Sequence, residues 1–244
     1  MADCQFFKTV AVWPLVLGLF IGCGSDDDPT PNANTTGNTK SGKSSTDRAK
    51  SEADFFPLVL VEDFEHFSEG EPTDEPTWSE DTGILKCSGE PRGYLYTSEG
   101  HRNFVLRFDY RFEPADNPDD VAKLNTGVLV YISDEDKIWP VSLEVQGKHV
   151  EMGQIKSNGG VAAVDIADDD AARQNARKAP GEWNSVEVVS HEGALTAFVN
   201  GTKICESKPG ELSEGRIGFQ SERAKVEFRN IRIKDEEDEE DEEE

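Results

Sequence analysis

The chain has 244 residues, of which 35% are apolar, and this length and composition suit one all-β domain with polar ends. Its 25 basic residues are outnumbered by 50 acidic ones, so the formal net charge is -25. Proteins that bind nucleic acids cluster Lys and Arg against the phosphates, so this balance argues against a nucleic-acid partner.

The N-terminal segment has the pattern of an export signal. Lys8 precedes an apolar run over residues 10–21 that is too short to span a bilayer but suits the core of a signal peptide. The run ends in Phe20-Ile-Gly-Cys23, which resembles a bacterial lipobox with phenylalanine where leucine is usual. This pattern predicts that residues 1–22 are removed and that Cys23 is lipidated, which would anchor the protein at the cell envelope, facing the periplasm or the outside. The alternative is an ordinary secretory signal with a chance cysteine.

The domain is predicted to lie between two polar segments. Residues 23–54 contain almost no apolar side chains and are predicted to be a disordered tether, because such a segment buries too little surface to offset the entropy of ordering. Residues 235–244 are all acidic and are predicted to be disordered by self-repulsion. Within the domain, residues 55–234, the cysteines are Cys87 and Cys205. An oxidising compartment would permit a disulfide between them, and two separate buried thiols are the alternative.

Between these ends, apolar and polar residues alternate between turn signals, which predicts many short antiparallel strands. The clearest strand is Phe104–Phe112, with every second residue apolar. Asn200-Gly201 predicts a type I′ hairpin turn, and a change of phase in the last strand predicts a bulge near Asn230. A weak helical pattern covers residues 168–178.

The number of strands predicts the fold class. The other predicted strands are Leu58–Asp63, Gly83–Cys87, Tyr94–Thr97, Thr126–Ile132, Pro140–Gln146, Val161–Ile166, Asn184–Ser190, Ala194–Val199, Thr202–Glu206, Gly215–Gln220 and Val226–Ile233. Roughly a dozen strands in one domain predict an all-β, two-sheet antiparallel jelly-roll sandwich.

Several common kinds of site have no sequence motif here. The chain has no G-x-S-x-G elbow, Walker loop, H-E-x-x-H or Cys-x-x-Cys, so the esterase, nucleotide-binding and zinc classes lack support. Acidic turns at residues 116–120 and 168–170 could bind Ca²⁺, but they lack the spacing of a calcium loop and are predicted to be solvated. No metal site and no other cofactor is therefore predicted.

Four motifs near the end of the domain occur in a characteristic order, and they are Pro180-Gly-Glu-Trp-Asn184, Val199-Asn-Gly201, Gly215-Arg-Ile-Gly-Phe-Gln-Ser221 and Val226-Glu-Phe-Arg-Asn-Ile-Arg-Ile-Lys234. In this order they resemble the closing part of the 3-keto-disaccharide hydrolase family, long known as a domain of unknown function. The resemblance covers roughly residues 55–234. It implies a concanavalin A-like lectin and glucanase fold and a carbohydrate partner.

The segment Ser142-Leu-Glu-Val-Gln146 carries the main candidate site residues. Alternation places Glu144 and Gln146 on one face of their strand. From alternation alone this face is more simply a half-buried, wet side of a strand, whereas the family resemblance implies that it lines the sugar site. The resemblance also implies roles for Asn125, at the entry to the preceding strand, and for His149, which follows the Glu144 strand and is either a proton-transfer group or a surface residue.

Three more residues are candidates for substrate binding. Arg107, on the polar face of its strand, could bind sugar hydroxyls or an oxyanion, or pair with an acid on the next strand. Gln220 could add a polar contact from an adjacent strand. Trp139 is predicted to stack on a sugar ring.

The carboxylates present decide the kind of chemistry. An ordinary glycosidase needs two carboxylates, whereas the Glu144 strand offers one. A 3-keto sugar needs less, because the carbonyl acidifies the C2 proton and allows elimination of the C1 substituent followed by addition of water. We expect Glu144 or His149 to remove that proton while Arg107, Asn125 or Gln146 orients the keto oxygen.

Two other functions are compatible with the same sequence. The first is a non-catalytic carbohydrate-binding module displayed on a lipid tether, which would use the same fold and polar face. The second is a structural envelope protein whose acidic surface only maintains solubility.

Overall fold

The computed structural model describes residues 52–59, 63–72, 74–133 and 135–236. They form two antiparallel sheets packed against each other around one main apolar core. The predicted all-β, two-sheet antiparallel jelly-roll sandwich of the concanavalin A-like class is confirmed. The predicted signal peptide, most of the tether, including its lipidation site Cys23, and nearly all of the acidic tail lie outside the described residues. In the part of the chain that is described, no helix is long and apolar enough to cross a membrane.

The strands in chain order are β1 (Phe56–Pro57), β2 (Phe64–Ser68), β3 (Trp78–Asp81), β4 (Ile84–Cys87), β5 (Gly93–Thr97), β6 (Phe104–Phe112), β7 (Gly127–Ile132), β8 (Ser142–Gln146), β9 (Ile155–Asn158), β10 (Ile166–Asp168), β11 (Asn184–His191), β12 (Ala194–Val199), β13 (Thr202–Ser207), β14 (Arg216–Ser221) and β15 (Val226–Asp235). Helix α1 spans Asp170–Ala176, and two 3-10 helices span Pro118–Lys123 and His149–Glu151.

The two sheets differ in size. The larger sheet has the order β10-β13-β12-β11-β6-β15-β4-β3, and β1 pairs with β15. The smaller sheet has the order β2-β5-β14-β7-β8-β9. Strand β14 pairs with β7 although the two are far apart in the chain, so residues distant in sequence become neighbours there.

The core lies between the sheets and is built from alternate residues of each strand. In β6 the apolar residues of the alternating pattern are all buried and point inward. Phe108 of β6 meets Phe219 of β14 edge to face, with ring centroids 5.3 Å apart. Val128 of β7 and Val145 of β8 belong to the same core. Because successive side chains in a strand point to opposite faces, the remaining residues of β14, β7 and β8 face away from the core.

Several local predictions are confirmed. Strand β6 has the predicted bounds. Asn200 and Gly201 have φ values of 49° and 80°, as a type I′ turn requires. The register of β15 against β6 shifts between Arg229 and Arg232, and Asn230 within it has a φ of 54°, so the predicted bulge is present.

Other predictions are wrong in position. Of the predicted strand at residues 161–166, only Ile166 is in a strand, as the first residue of β10, and β9 ends before residue 161. Strand β9 ends where Gly159 and Gly160, with φ values of 68° and 91°, turn the chain. Strand β3 was not predicted. Helix α1 is shorter than its pattern because the Asp169 side chain accepts a hydrogen bond from the Ala172 N–H at 2.8 Å and caps the helix there.

The two domain cysteines form no disulfide with each other, and the aspartates at residues 168–170 are used in ion pairs and a helix cap. Cys87 and Cys205 are two separate, buried, free thiols. In the turn at residues 168–170, two of the aspartates pair with buried Arg173, and the third caps α1. Within the described ranges, no group of three or more His, Cys, Asp or Glu side chains could hold a metal ion.

Candidate functional site

The outer face of the smaller sheet carries the candidate site. Register places Leu129 of β7 opposite Glu144 of β8, and Gly127 opposite Gln146. On the other side of β7, Gly218 of β14 lies opposite Leu129. Since Gly127 has no side chain, residues of β14 and β8 can approach each other over it.

Glu144 is a buried carboxyl with one oxygen left unpaired. Its side chain is 4% exposed, and its Oε2 accepts a hydrogen bond from Asn158 Nδ2 at 2.8 Å. Its Oε1 is buried and has no hydrogen-bond partner. Burial raises the pKa of Glu144 to about 7, with nearby Glu222 and Glu151 adding to the rise and Asn158 and Lys156 opposing it.

Gln220 of β14 is the second unpaired group. It is 2% exposed, and both of its amide atoms are buried without a partner. Its Oε1 and the Glu144 Oε1 each lie 2.4 Å from the point where a Cβ on Gly127 would stand. Its main chain is held in place, because Thr126 Oγ1 donates a hydrogen bond to the Gln220 carbonyl at 2.8 Å. An unpaired buried polar group costs about 1–3 kcal/mol, so such a cluster is typical of a site that receives a polar ligand or water.

Asn125 and Glu222 extend the cluster along β7 and β14. The Asn125 Oδ1 is buried and unpaired, and the Asn125 side chain favours the ionised form of the Glu222 carboxyl. Glu222 is two residues beyond Gln220 and is half-buried. Burial raises the pKa of Glu222, although Asn125 and the charges of nearby Arg and Lys side chains oppose the rise.

A lysine lies opposite Glu144, but its charge is largely balanced. Lys156 of β9 is the cross-strand neighbour of Glu144. Its ammonium pairs with Glu151, whose second oxygen accepts a hydrogen bond from Lys148 at 3.4 Å. These partners lower the pKa of Glu151, and the hydrogen bond from Lys156 has the largest effect. Because Lys156 is already paired with Glu151, its charge lowers the pKa of Glu144 by less than burial raises it.

Gln146 and His149 lie close to this face but have other contacts. Gln146 Oε1 accepts a hydrogen bond from the Lys148 N–H at 2.8 Å and so shapes the turn after β8. His149 is buried in the 3-10 helix that follows β8. Its main-chain N–H donates a hydrogen bond to the Leu124 carbonyl at 3.1 Å. Burial and the positive charge of Arg177 lower the pKa of His149, so its ring is neutral at neutral pH. Among the described residues, no contact joins it to Glu144.

Arg107 does not belong to this site. It lies on the outer face of the larger sheet, where its cross-strand neighbour is Glu187 of β11. Its Nε donates to Glu187 and its Nη1 to Glu52, each at 2.6 Å. The core separates this face from Glu144, so the prediction that both residues contact one ligand is wrong. Alternation identified a polar face, but it could not identify the sheet.

Trp139 lies in the segment between β7 and β8 and is 36% exposed. In the portion of the chain that the structure describes, Trp139 has no hydrogen bond or ring contact with Glu144. Stacking of Trp139 on a sugar ring stays a prediction.

Three residues of the cluster were not predicted from the sequence: Asn158, Lys156 and Glu222. Asn158 and Lys156 were missed because β9 was not predicted, since Ile155-Lys-Ser-Asn158 has a single apolar residue and shows no alternation. Glu222 shares the phase of Gln220 two residues earlier, and this spacing was the available signal.

The fold and the cluster define a class of protein, a concanavalin A-like β-sandwich with a buried carboxyl and unpaired amides on the outer face of one sheet. Residues 60–234 match the model of the 3-keto-alpha-glucoside-1,2-lyase-like domain, and the chain belongs to this family.

Solved structures agree with the fold. Two structures from Parabacteroides distasonis, each named "putative glycosyl hydrolase", are similar to this chain. One is 23% identical with a TM-score of 0.53, covering 75% of this chain and 99% of the other. The second is 18% identical with a TM-score of 0.55, covering 80% of this chain and 99% of the other. No curated protein sequence matches the chain.

Proposed function

We propose that the protein cleaves the glycosidic bond of 3-keto-α-glucosides, including 3-keto-disaccharides, by elimination across C1 and C2 followed by hydration. The observation that carries this proposal is the Glu144 carboxyl, which is buried, held at one oxygen by Asn158 and unpaired at the other. Membership of a family described as 3-keto-alpha-glucoside-1,2-lyase-like supports the substrate and the bond.

Glu144 is the proposed base. The carbonyl at C3 acidifies the hydrogen on C2, and the unpaired Oε1 of Glu144 accepts it. A carboxyl with a pKa of about 7 is a stronger base than an ordinary one and is still substantially ionised near neutral pH. His149 is the weaker candidate, since the cluster of unpaired groups surrounds Glu144 rather than His149.

The keto oxygen needs hydrogen-bond donors as it gains charge. Arg107 lies on the other sheet, and Gln146 is engaged by the Lys148 N–H. The Gln220 amide is buried beside Glu144 with its Nε2 unpaired, so it takes this role. A donor already in place and shielded from water stabilises a developing oxyanion strongly.

The reaction balances without an oxidant. The C2–H bond breaks as Glu144 takes the proton, its electrons form the C1–C2 double bond, and the C1–O bond breaks. The departing oxygen takes a proton from a water molecule, the hydroxide that remains adds to C1, and Glu144 returns a proton to C2. The products are the free alcohol and 3-keto-glucose.

Deuterium incorporation tests the elimination. The full chain is incubated in D₂O with methyl 3-keto-α-glucoside and, separately, with methyl α-glucoside. We expect release of 3-keto-glucose carrying deuterium at C2 beyond a blank of 3-keto-glucose and protein, and no release from the unoxidised glucoside. Glu144→Gln should slow release by at least about 100-fold, the usual contribution of a positioned base.

The control is Glu227→Gln, since Glu227 pairs with Arg111 on the outer face of the larger sheet. This variant should keep the wild-type rate. Cleavage of the unoxidised glucoside or wild-type rates in Glu144→Gln would each overturn the proposal.

The second candidate function is carbohydrate binding without catalysis. Unpaired polar atoms of Glu144, Gln220 and Asn125 suit sugar hydroxyls as well as a reacting ketone. This function predicts saturable binding of unoxidised glycans by calorimetry and no cleavage of either glucoside.

Export and lipid anchoring form a further part of the proposal. Lipidation at Cys23 would place the domain at the bacterial cell envelope, on a tether long enough to let it reorient. Cys23→Ala should move the expressed protein from the membrane fraction to the soluble fraction and remove the lipid mass from the N-terminal peptide. An unchanged distribution between the fractions would contradict anchoring through Cys23.

A further inference from the structure

Lys156 is a cation directly beside the proposed base. It lies opposite Glu144 in the register of β8 and β9, so the two side chains leave the same face of the sheet. Residues opposite each other in antiparallel strands have Cβ atoms about 4.5–5.5 Å apart, which is close enough for a lysine and a carboxylate to pair. The Glu144 carboxyl nevertheless accepts a hydrogen bond from Asn158 and keeps its Oε1 unpaired. Because opposite charges at this separation attract, another contact must hold the Lys156 ammonium.

Glu151 is the residue that holds this ammonium. Its Oε2 pairs with Lys156 Nζ, and its Oε1 accepts a hydrogen bond from Lys148 Nζ at 3.4 Å. Each oxygen of the Glu151 carboxylate is therefore bound by a lysine. Among the described residues, neither of these lysines forms a salt bridge with Glu144.

The backbone around Glu151 is held in place. The Glu151 carbonyl accepts a hydrogen bond from the Gln154 N–H at 3.0 Å. From helix α1, Arg173 Nε donates to the carbonyl of the next residue, Met152, at 3.0 Å, and Met152 is 1% exposed. Because the backbone here does not depend on the Glu151 carboxylate, loss of that carboxylate should release the Lys156 side chain and leave the turn in place.

We propose that Glu151 is a positioning residue for the cleavage reaction, because it holds Lys156 away from Glu144 and leaves the Glu144 Oε1 free to take the proton from C2. This inference rests on the proposed function and identifies what controls its base. Without Glu151, the carboxyl directly across the strand pair from the released ammonium is Glu144. A pair between Lys156 and Glu144 would weaken the base and occupy the oxygen that receives the proton.

The charges around Glu144 are consistent with this role. Burial raises the pKa of Glu144 most, and the hydrogen bond from Asn158 opposes the rise. Among the charged groups, Glu222 and Glu151 raise this pKa, and Lys156 lowers it. Loss of Glu151 removes a charge that raises the pKa of Glu144 and releases a charge that lowers it. Both consequences have the same sign, so the pKa of Glu144 should fall.

The first test does not depend on activity. Protein labelled with ¹³C at the glutamate carboxyl carbon is titrated by NMR, and the Glu144 signal is the one that Glu144→Gln removes. In the wild type it should titrate at about pH 7. In Glu151→Ala its midpoint should fall by at least about one pH unit, as expected when a cation pairs with a carboxylate. In Glu151→Ala/Lys156→Met the midpoint should return to within about half a unit of wild type, because the released cation is absent.

The second test is cleavage of methyl 3-keto-α-glucoside across pH. Glu151→Ala should lower kcat/KM above pH 7 by at least about fivefold and move its rise to lower pH, since a weaker base removes the proton more slowly. Adding Lys156→Met should restore kcat/KM to within about twofold of wild type. The matched control is Glu206→Ala, which removes the partner of Lys203 at 2.7 Å on the larger sheet and should change neither the titration nor the rate.

The outcomes separate this inference from the proposed function. An unchanged Glu144 midpoint in Glu151→Ala, or a loss of rate that Lys156→Met does not restore, would overturn the inference. Restoration by the second substitution would also exclude misfolding of Glu151→Ala, because a further change would not repair a misfolded chain. Absence of cleavage by the wild type would overturn the proposed function and the role of Glu151 in cleavage, whereas the NMR titration would still decide whether Glu151 keeps Lys156 from Glu144.

Discussion

Glu144 and Gln220 come from strands on either side of β7, and their Oε1 atoms flank the same point above Gly127. Each oxygen lies 2.4 Å from where a Cβ on Gly127 would stand. Their approach therefore depends on the absence of one side chain. The φ of Gly127 is not in the left-handed region, so space rather than backbone conformation requires glycine there.

Gly127→Ala should remove the function while keeping the fold. The added methyl group would displace Glu144 and Gln220, and a misplacement of about 1 Å at a reacting group costs about 100-fold in rate. The measurement is the release of 3-keto-glucose together with circular dichroism. Gly70→Ala is the matched control, because nothing lies within 4 Å of a Cβ at Gly70. Normal activity in Gly127→Ala would mean that the reaction does not use the space above Gly127.

The pH dependence of cleavage should report Glu144. A base acts in its ionised form, so kcat/KM should rise with pH through about 7 and level off above it. Asn158 donates a hydrogen bond that lowers the pKa of Glu144, so Asn158→Ala should move the rise to higher pH. The full pH profiles of the two proteins provide the measurement. A shift to lower pH in Asn158→Ala would contradict the assignment of the titrating group.

The buried Glu144 carboxyl should also lower the free energy of unfolding of the protein at neutral pH relative to acidic pH. Burial raises its pKa from 4.5 to about 7 in the folded state, so between these values the folded form holds more protons than the unfolded form. Stability therefore falls as pH rises through this range, by about 3 kcal/mol at most.

Glu144→Gln removes this titration. Its free energy of unfolding should equal that of the wild type near pH 4 and exceed it at pH 8, as measured by urea titration at each pH. Glu227→Gln serves as the comparison because Glu227 lies outside the cluster. A constant difference between Glu144→Gln and wild type across pH would show that Glu144 does not titrate in this range.

Arg107 should matter for stability and not for cleavage. Its guanidinium joins Glu187 and Glu52 and lies over the Phe55 ring, with its Cζ 4.4 Å from the ring centroid. Arg107→Gln should lower the free energy of unfolding by about 1 kcal/mol, since these contacts are partly solvated. The rate of 3-keto-glucoside cleavage should stay within about twofold of wild type, because surface changes away from a site have small effects. A large loss of kcat/KM in Arg107→Gln with an unchanged free energy of unfolding would mean that Arg107 takes part in the reaction.

The two domain cysteines should stay reduced and unreactive. Cys87 and Cys205 are separate and buried, and burial raises the pKa of the Cys87 thiol to about 11, so little reactive thiolate forms at neutral pH. Without reductant, iodoacetamide should label both peptides only after unfolding in guanidinium, as detected by mass spectrometry. If neither Cys87 nor Cys205 were labelled after unfolding, the two would be joined in a disulfide.

Local patterns predicted much of the fold. The bounds of β6, the turn at Asn200-Gly201 and the bulge at Asn230 all follow from residues close together in the chain. The predicted strand at residues 161–166 was wrong over residues 161–165, because two consecutive left-handed glycines end β9 and leave the residues that follow in a loop up to β10. Missing β9 also hid Asn158, the hydrogen-bond partner of Glu144.

The sequence by itself determined which side chains share a face of a strand, as with Glu144 and Gln146, because alternation is a property of the extended backbone. Only the tertiary structure decided which strands lie side by side. It placed Gln220 beside Glu144 and Arg107 on the far side of the core, although all three are polar residues in well-predicted strands. Strand order depends on pairings between distant segments and on the packing of two sheets, and no local pattern of residues encodes either of these.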